Sequence, residues 1–303
     1  MRALSLPGCA CRGAFQFAVM ARLAAQGERF DVVAGASSGS ICGAIVTAGL
    51  AEEGPTMWRS FMSTPVVSAR YLRSEGSVFG MSRILREGLR RFVPTERIRS
   101  SPTELLVATT RAKAFAREAL GPLVAMTRSA AERLRGQDRD RDRDRDRDRD
   151  GERPALRSVL RDRFAALSRR MPESLVVHSS RDRDDFHDII AASCFIPVVY
   201  SRPVFIDGEL HIDGGAADNT LIDELVARGA DDITMVTPYT EGRVASTIFA
   251  PESRPKVPPH VRLRILCPER ELSQKRFDFA PEPLEEALGM AHREIVVARG
   301  DEE

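Results

Sequence analysis

The stretch Val32-Val33-Ala34-Gly35-Ala36-Ser37-Ser38-Gly39-Ser40-Ile41 constrains this chain more than any other. An apolar run stops at a Gly-x-Ser-x-Gly turn and gives way to residues rich in Gly, Ala and Ser. That order reads as a strand, a sharp turn and a buried helix. Gly35 and Gly39 stand two residues either side of Ser37, where side chains would block so abrupt a reversal. Such a turn lifts the Ser37 hydroxyl out of the sheet and frees backbone N–H groups at a helix start. Ser37 is the candidate nucleophile, and the remaining sequence is read for a base and for oxyanion donors to serve it.

Upstream, Ala3 to Leu6 reads as a buried strand, Gly8 to Gly13 as a turn of small residues, and Ala14 to Ala25 as a helix buried on most sides. With the strand Phe30 to Ala34 this makes a βαβ unit, so the sheet is parallel there. The Gly8-Cys9-Ala10-Cys11-Arg12-Gly13 turn has three readings. It is a tight strand-to-helix connection, a degenerate dinucleotide loop, or an oxyanion loop whose N–H groups point at the neighbouring strand end where Ser37 sits. The middle glycine of G-x-G-x-x-G is missing and no Lys-Ser/Thr follows Gly13, which favours the oxyanion reading over a phosphate loop.

Downstream, Ala51 to Phe61 and Met81 to Phe92 read as helices. In the second, Ile84, Leu85, Leu89 and Phe92 form one stripe among four arginines. This is a core-facing helix with a solvated face, or a basic cap for an anionic lipid surface. Glu104 to Thr110 is a buried strand. Two helices, Ala114 to Arg135 and Pro154 to Arg170, then flank Asp138 to Asp150, a strict Asp-Arg alternation with nothing apolar. Helical spacing sets unlike charges three apart against like charges four apart, so the repeat reads as a disordered connector inside a helical insertion over 114–172 of a single domain spanning 1–303. The sheet resumes with Ser174 to His178, the helix Asp185 to Ser193, and a hairpin of Pro203 to Ile206 and Glu209 to Ile212 about Asp207-Gly208. Asp213-Gly214-Gly215 follows, then a helix from Thr220, strands Asp232 to Thr237 and Val261 to Cys267, an irregular Thr240 to Pro259 and a C-terminal helix Leu284 to Arg299.

A formal net charge of +1 gives no bulk field for nucleic acid. Five cysteines, Cys9, Cys11, Cys42, Cys194 and Cys267, form no paired framework and suit a reducing compartment. No apolar run is long enough for a signal peptide or a bilayer span, so the expectation is a cytoplasmic protein free to touch membranes from outside. No metal-ligand spacing appears, so no metal or cofactor is expected.

These residues together resemble the patatin-like phospholipase family. The match is an ordered set: Gly8 to Gly13 in the place of the Gly-rich oxyanion loop, Gly35-Ala36-Ser37-Ser38-Gly39 as nucleophile elbow, Ala192-Ser193-Cys194-Phe195-Ile196-Pro197 as an Ala-Ser-x-x-x-Pro element, and Asp213-Gly214-Gly215 as the Asp-Gly-Gly motif. The resemblance implies a three-layer α/β fold with a mostly parallel central sheet, and hydrolysis of acyl-lipid esters by a Ser37–Asp213 dyad without histidine. Where the family loop has successive glycines this chain has Cys9 and Ala10, so a position needing positive φ would be strained. Arg12 matches the family's basic position and would orient the loop or a lipid phosphate.

The residues support the dyad independently. Ser37 and Asp213 each end an expected strand and precede glycines, and strand carboxyl ends are where α/β sites lie. The histidines are His178, His187, His211, His260 and His292. A rival triad in the order Ser…Asp…His needs an acid before His260 or His292, and neither sits at an obvious strand-end loop with a partner. His211 shares a strand face with Asp213 by alternation and reads as an ordinary strand histidine or a neighbour that tunes the aspartate. The expected function is a lipid acyl hydrolase. An esterase or thioesterase for soluble acyl substrates, and a catalytically impaired lipid-binding scaffold, are the alternatives.

Overall fold

The computed structural model describes residues 1–116, 170–197 and 200–297. The expected helices at 114–135 and 154–170 and the Asp-Arg connector at 138–150 lie, but for a few end residues, outside them.

Short β-branched and apolar runs form β1 (Arg2–Leu6), β2 (Val32–Gly35) and β3 (Glu104–Arg111), joined by α1 (Gly13–Ala25) and α2 (Ser38–Thr47) and then by α3 (Gly54–Met62), α4 (Tyr71–Glu75), α5 (Met81–Phe92) and α6 (Thr95–Ser100). After 112–116, which are helical, the described chain resumes with β4 (Leu175–Ser179), α7 (Phe186–Ser193), β5 (Val204–Ile206) and β6 (Glu209–Asp213). It ends with α8 (Ile222–Ala227), β7 (Asp232–Val236), the two-residue pair β8 (Val244–Ala245) and β9 (Glu252–Ser253), β10 (Arg262–Pro268), α9 (Pro281–Gly289) and β11 (His292–Val297).

The main sheet runs β11-β10-β7-β1-β2-β3-β6-β5, with β4 also on β3. The strands β10, β7, β1, β2 and β3 are mutually parallel. The others enter antiparallel ladders, so the sheet is mixed but mostly parallel. Its central strands β1, β2, β3, β7 and β10 are buried on both faces. Leu4, Val33, Leu105, Val107 and Leu266 join the core under α1, α2, α3, α7 and α9. Ala3, Val32, Ala34, Leu106 and Leu263 join a second core beneath α8. This alternation makes three layers, as expected for an α/β sheet.

Register explains how two distant residues meet. The strand β2 pairs with Glu104–Val107 of β3, and β6 pairs with Thr109–Arg111. Because β4 spans Leu106–Thr110, it must hold the other edge of β3. Hence β2 and β6 lie end to end along one edge, running toward each other, and their carboxyl ends meet beside Ala108. A Cβ on Gly214 would run into the Ala108 carbonyl, so only glycine permits this junction.

Two expectations are corrected. The C-terminal segment is not helical through Arg299: α9 stops at Gly289, and His292–Val297 forms β11, antiparallel to β10. Ile295-Val296-Val297 is β-branched, and the open edge of β10 offers it a ladder that local helical spacing could not foresee. The 240–259 region is not wholly irregular, since β8 and β9 pair within it. The Asp207-Gly208 hairpin forms as read, both residues taking positive φ (51° and 80°).

Candidate active site

Ser37 sits between β2 and α2 with φ 52° and ψ −129°, a backbone conformation that L-residues adopt only when neighbours enforce it. Those neighbours are visible. The Ser37 N–H donates to Ser193 Oγ at 2.9 Å, and Ser40 Oγ donates to the Ser37 carbonyl at 2.6 Å. A Cβ on Gly8 would stand 2.6 Å from the Ser37 Cβ, and one on Gly39 would strike the Leu6 carbonyl. The small residues of the elbow are what let β1, β2 and α2 close on each other.

Asp213 ends β6 almost wholly buried. Its Oδ1 accepts from the Gly215 N–H at 2.8 Å. Its carboxyl pKa is raised to about 7: burial drives it up, while the Ser37 hydroxyl and then the Gly215 N–H, both bonding the charged form, pull it partly back. Oδ2 has no partner of strict hydrogen-bond geometry among the described residues, so the Ser37 contact is a loose one. Such contacts tighten when substrate arrives.

The Ala192–Pro197 motif, recognisable in sequence but without a stated role, brackets the pair. Ser193 Oγ holds the Ser37 N–H, and the Phe195 carbonyl accepts from the Asp213 N–H at 2.9 Å. Asn219, four residues after Gly215 and not foreseen as part of the site, clamps the Gly8 turn: its Oδ1 accepts from the Gly8 N–H at 2.8 Å and its Nδ2 donates to the Gly8 and Ala245 carbonyls.

The Gly8–Gly13 loop lies against the elbow, but most of its N–H groups are committed. Gly8 donates to Asn219, Cys9 to Ser38 Oγ (3.0 Å), Cys11 to the Arg276 carbonyl (2.9 Å) and Gly13 to the Ala10 carbonyl. Ala10 and Ser38 carry N–H groups with no hydrogen-bond acceptor among the described residues, and both residues line the cavity that Ser37 faces. Ala10 has φ 52°, so the strain anticipated for the missing glycines falls there. Arg12 turns away from the site: its Nε donates to the Gln274 carbonyl at 2.7 Å and its guanidinium lies 5.2 Å from the Tyr239 ring centroid.

The model of one family, patatin-like phospholipase, matches residues 4–226. The chain belongs to that family. Among solved structures it is similar to VipD from Legionella pneumophila, at 13% identity and a TM-score of 0.38 over 79% of this chain, which spans 50% of that one. No curated protein matches the sequence.

The cavity beside this patatin-like elbow is narrow, about 80 Å³, and mostly apolar. Trp58, Phe61 and Met62 of α3 line one wall, Ile84 and Leu85 of α5 another. Trp58 stacks on buried Phe17 with ring centroids 4.7 Å apart. Phe277 and Phe279, beyond the family match, complete the lining, and their segment is tied to the loop through the Arg276 and Gln274 carbonyls.

None of the histidines is among the groups that set the Asp213 pKa. His178 Nε2 and His211 Nδ1 each lie 2.8 Å from Thr109 Oγ1, and burial holds both pKa values down, His178 to about 4. His187 Nε2 meets the Val93 carbonyl. All five cysteines are free and buried. Desolvation pushes Cys9 and Cys11 up to about 12, so these thiols stay protonated and unreactive beside the loop. No helix among the described residues is long and apolar enough to cross a membrane.

Proposed function

We propose that this protein is a serine acyl hydrolase that cleaves lipid acyl esters through a Ser37–Asp213 dyad. One observation carries the reading. A carboxyl group buried beside a strained serine has its pKa raised to about 7, in the range a general base requires.

Ionised Asp213 takes the Ser37 proton as Oγ attacks the ester carbonyl. The developing oxyanion is held by the Ala10 and Ser38 N–H groups, the latter also at the positive end of α2. Protonated Asp213 returns the proton to the leaving alcohol, giving an acyl-enzyme. Water, deprotonated by the same carboxylate, attacks that ester and releases the fatty acid with Ser37 restored. The acyl chain occupies the slot between α3 and α5, whose apolar walls favour a hydrocarbon over a polar group. No step calls on a histidine or a metal. The substrate is a phospholipid or related acyl ester, met by peripheral contact with a membrane.

The test is hydrolysis of a chromogenic acyl ester and of phospholipid vesicles by the full chain, with fluorophosphonate labelling of the serine. Turnover and labelling, both abolished in Ser37→Ala, are the expected results. Turnover of soluble esters alone would move the substrate to soluble acyl compounds. No turnover and no labelling would leave a lipid-binding scaffold with the strained Ala10 turn as the physical reason.

A further inference from the structure

Nine large hydrophobic side chains are exposed among the described residues, and five of them gather at one place. Val67, Leu72, Val78 and Phe79 lie on the flap between Val66 and Met81, two residues that line the cavity, and the fifth, Phe277, lines it itself. Exposure reaches 61% at Val67 and 59% at Phe277. The flap is not a frayed loop. Its arms pair through Ser68 N–H to the Val78 carbonyl (2.9 Å) and Gly80 N–H to the Val66 carbonyl (2.8 Å), with Val67 bridged to Phe79. Tyr71 is buried beneath it, its hydroxyl on the Pro65 carbonyl, and Gly80 is the residue that makes room for the Tyr71 ring. An anchored element that still keeps its apolar side chains in water is shaped for a surface outside the molecule.

Charge identifies that surface. The flap and the helix after it, residues 66–92, hold six arginines and two glutamates in a chain whose net charge is only +1. Both acids are neutralised, Glu75 by Arg202 at 3.0 Å and Glu87 by Arg83 at 2.7 Å. Exposed Arg73 and Arg90 have no ion-pair partner among the described residues. Exposed apolar side chains on a segment that also carries unpaired arginines complement a layer of acyl chains beneath anionic headgroups.

We infer that the 66–80 flap, with Phe277 and the exposed arginines of α4 and α5, is the face by which this protein seats on an anionic lipid bilayer. It would bring the cavity mouth at Val66, Met81 and Phe277 against the membrane, so that a lipid reaches Ser37 without crossing water. The delivery of substrate rests on the hydrolase reading; the docking does not.

Co-sedimentation of the full chain with phosphatidylcholine vesicles, with and without phosphatidylglycerol, tests it. Wild type is expected to bind the anionic vesicles about tenfold more tightly than the neutral ones. Two variants, V67S/L72S/F79S and R73E/R90E, should each weaken that binding about tenfold or more while leaving hydrolysis of a soluble short-chain ester unchanged. Ser37→Ala should bind like wild type. Undiminished vesicle binding by both variants would overturn the proposal, as would equal binding to neutral and anionic vesicles. A triple variant that turned a dimer into a monomer without weakening vesicle binding would assign the face to a second copy of the chain instead. Normal docking with no hydrolysis by wild type would sink the hydrolase reading alone.

Discussion

Two buried titratable sites stand side by side on one face of the sheet. Asp213 and Thr109 are register partners, and Thr109 is the bridge between His178 and His211. Burial acts on both sites, yet with opposite consequences. Desolvation penalises whichever form is charged, so it lifts the Asp213 carboxyl to about 7 and drops His178 to about 4. The acid arrives where a general base works near neutral pH, and the histidines are removed from it. Their hydrogen bonds differ in the same sense. The histidines share the Thr109 hydroxyl at 2.8 Å each, whereas Asp213 has only the loose contact with Ser37 besides the Gly215 N–H. On the proposed reading, the buried carboxylate takes the role that histidine fills in a triad, and the buried histidines nearby are structural.

Among variants of these two sites, the largest effect should come from Asp213→Asn. Hydrolysis is expected to fall by about a thousandfold or more, because the amide cannot take a proton. The same variant should be more stable above pH 7. Asp213 binds a proton in the folded state between the ordinary carboxylate range and about pH 7, so its contribution falls as pH rises through that window. Removing it relieves a cost on the order of 4 kcal/mol, read as a higher Tm at pH 8. A variant that lost activity and stability together would mean that burial of Asp213 stabilises the fold instead of opposing it. By contrast His178→Gln and His211→Gln should leave kcat within about threefold of wild type; a loss as deep as that of Asp213→Asn would restore the triad.

The pH dependence sharpens the comparison further. The value of kcat/KM for a soluble ester should climb through about pH 7 as Asp213 ionises. His178 contributes in the other direction. Its folded pKa of about 4 lies below its unfolded value, so its contribution is complete above about pH 6.5 and is lost as pH falls toward 4. The Tm decline over that range should flatten in His178→Gln. Smallest is Ala10→Gly, which relieves φ 52° and is expected to add ~1 kcal/mol or less of stability with a modest rise in kcat. A fall in rate would mean that the Ala10 methyl group, not only its N–H, shapes the cavity.

Much of the fold was legible. Continuous apolar strands, the small-residue helix α2 and the Asp207-Gly208 hairpin follow from local patterns that packing does not override. The failure at 292–297 has a definite cause, since a β-branched segment takes a ladder only if a neighbour leaves an edge open, and β10 does. At the site, Ser37, Asp213 and the Ala192–Pro197 motif were visible as residues. The bracket they form was not, because Ser193 Oγ and the Phe195 carbonyl reach the elbow and Asp213 only in three dimensions.

By itself, the sequence determined an elbow with Ser37 at its tip, glycines where backbones must touch, and a carboxylate at the end of another strand. Those are local matters of size and backbone freedom. Tertiary structure alone decided that β2 and β6 meet end to end beside Ala108, that Asp213 is buried deeply enough to titrate near 7, and that Ala10 and Ser38 keep the free N–H groups. Each depends on residues far apart in the chain, and desolvation and hydrogen-bond competition exist only once those residues are packed together.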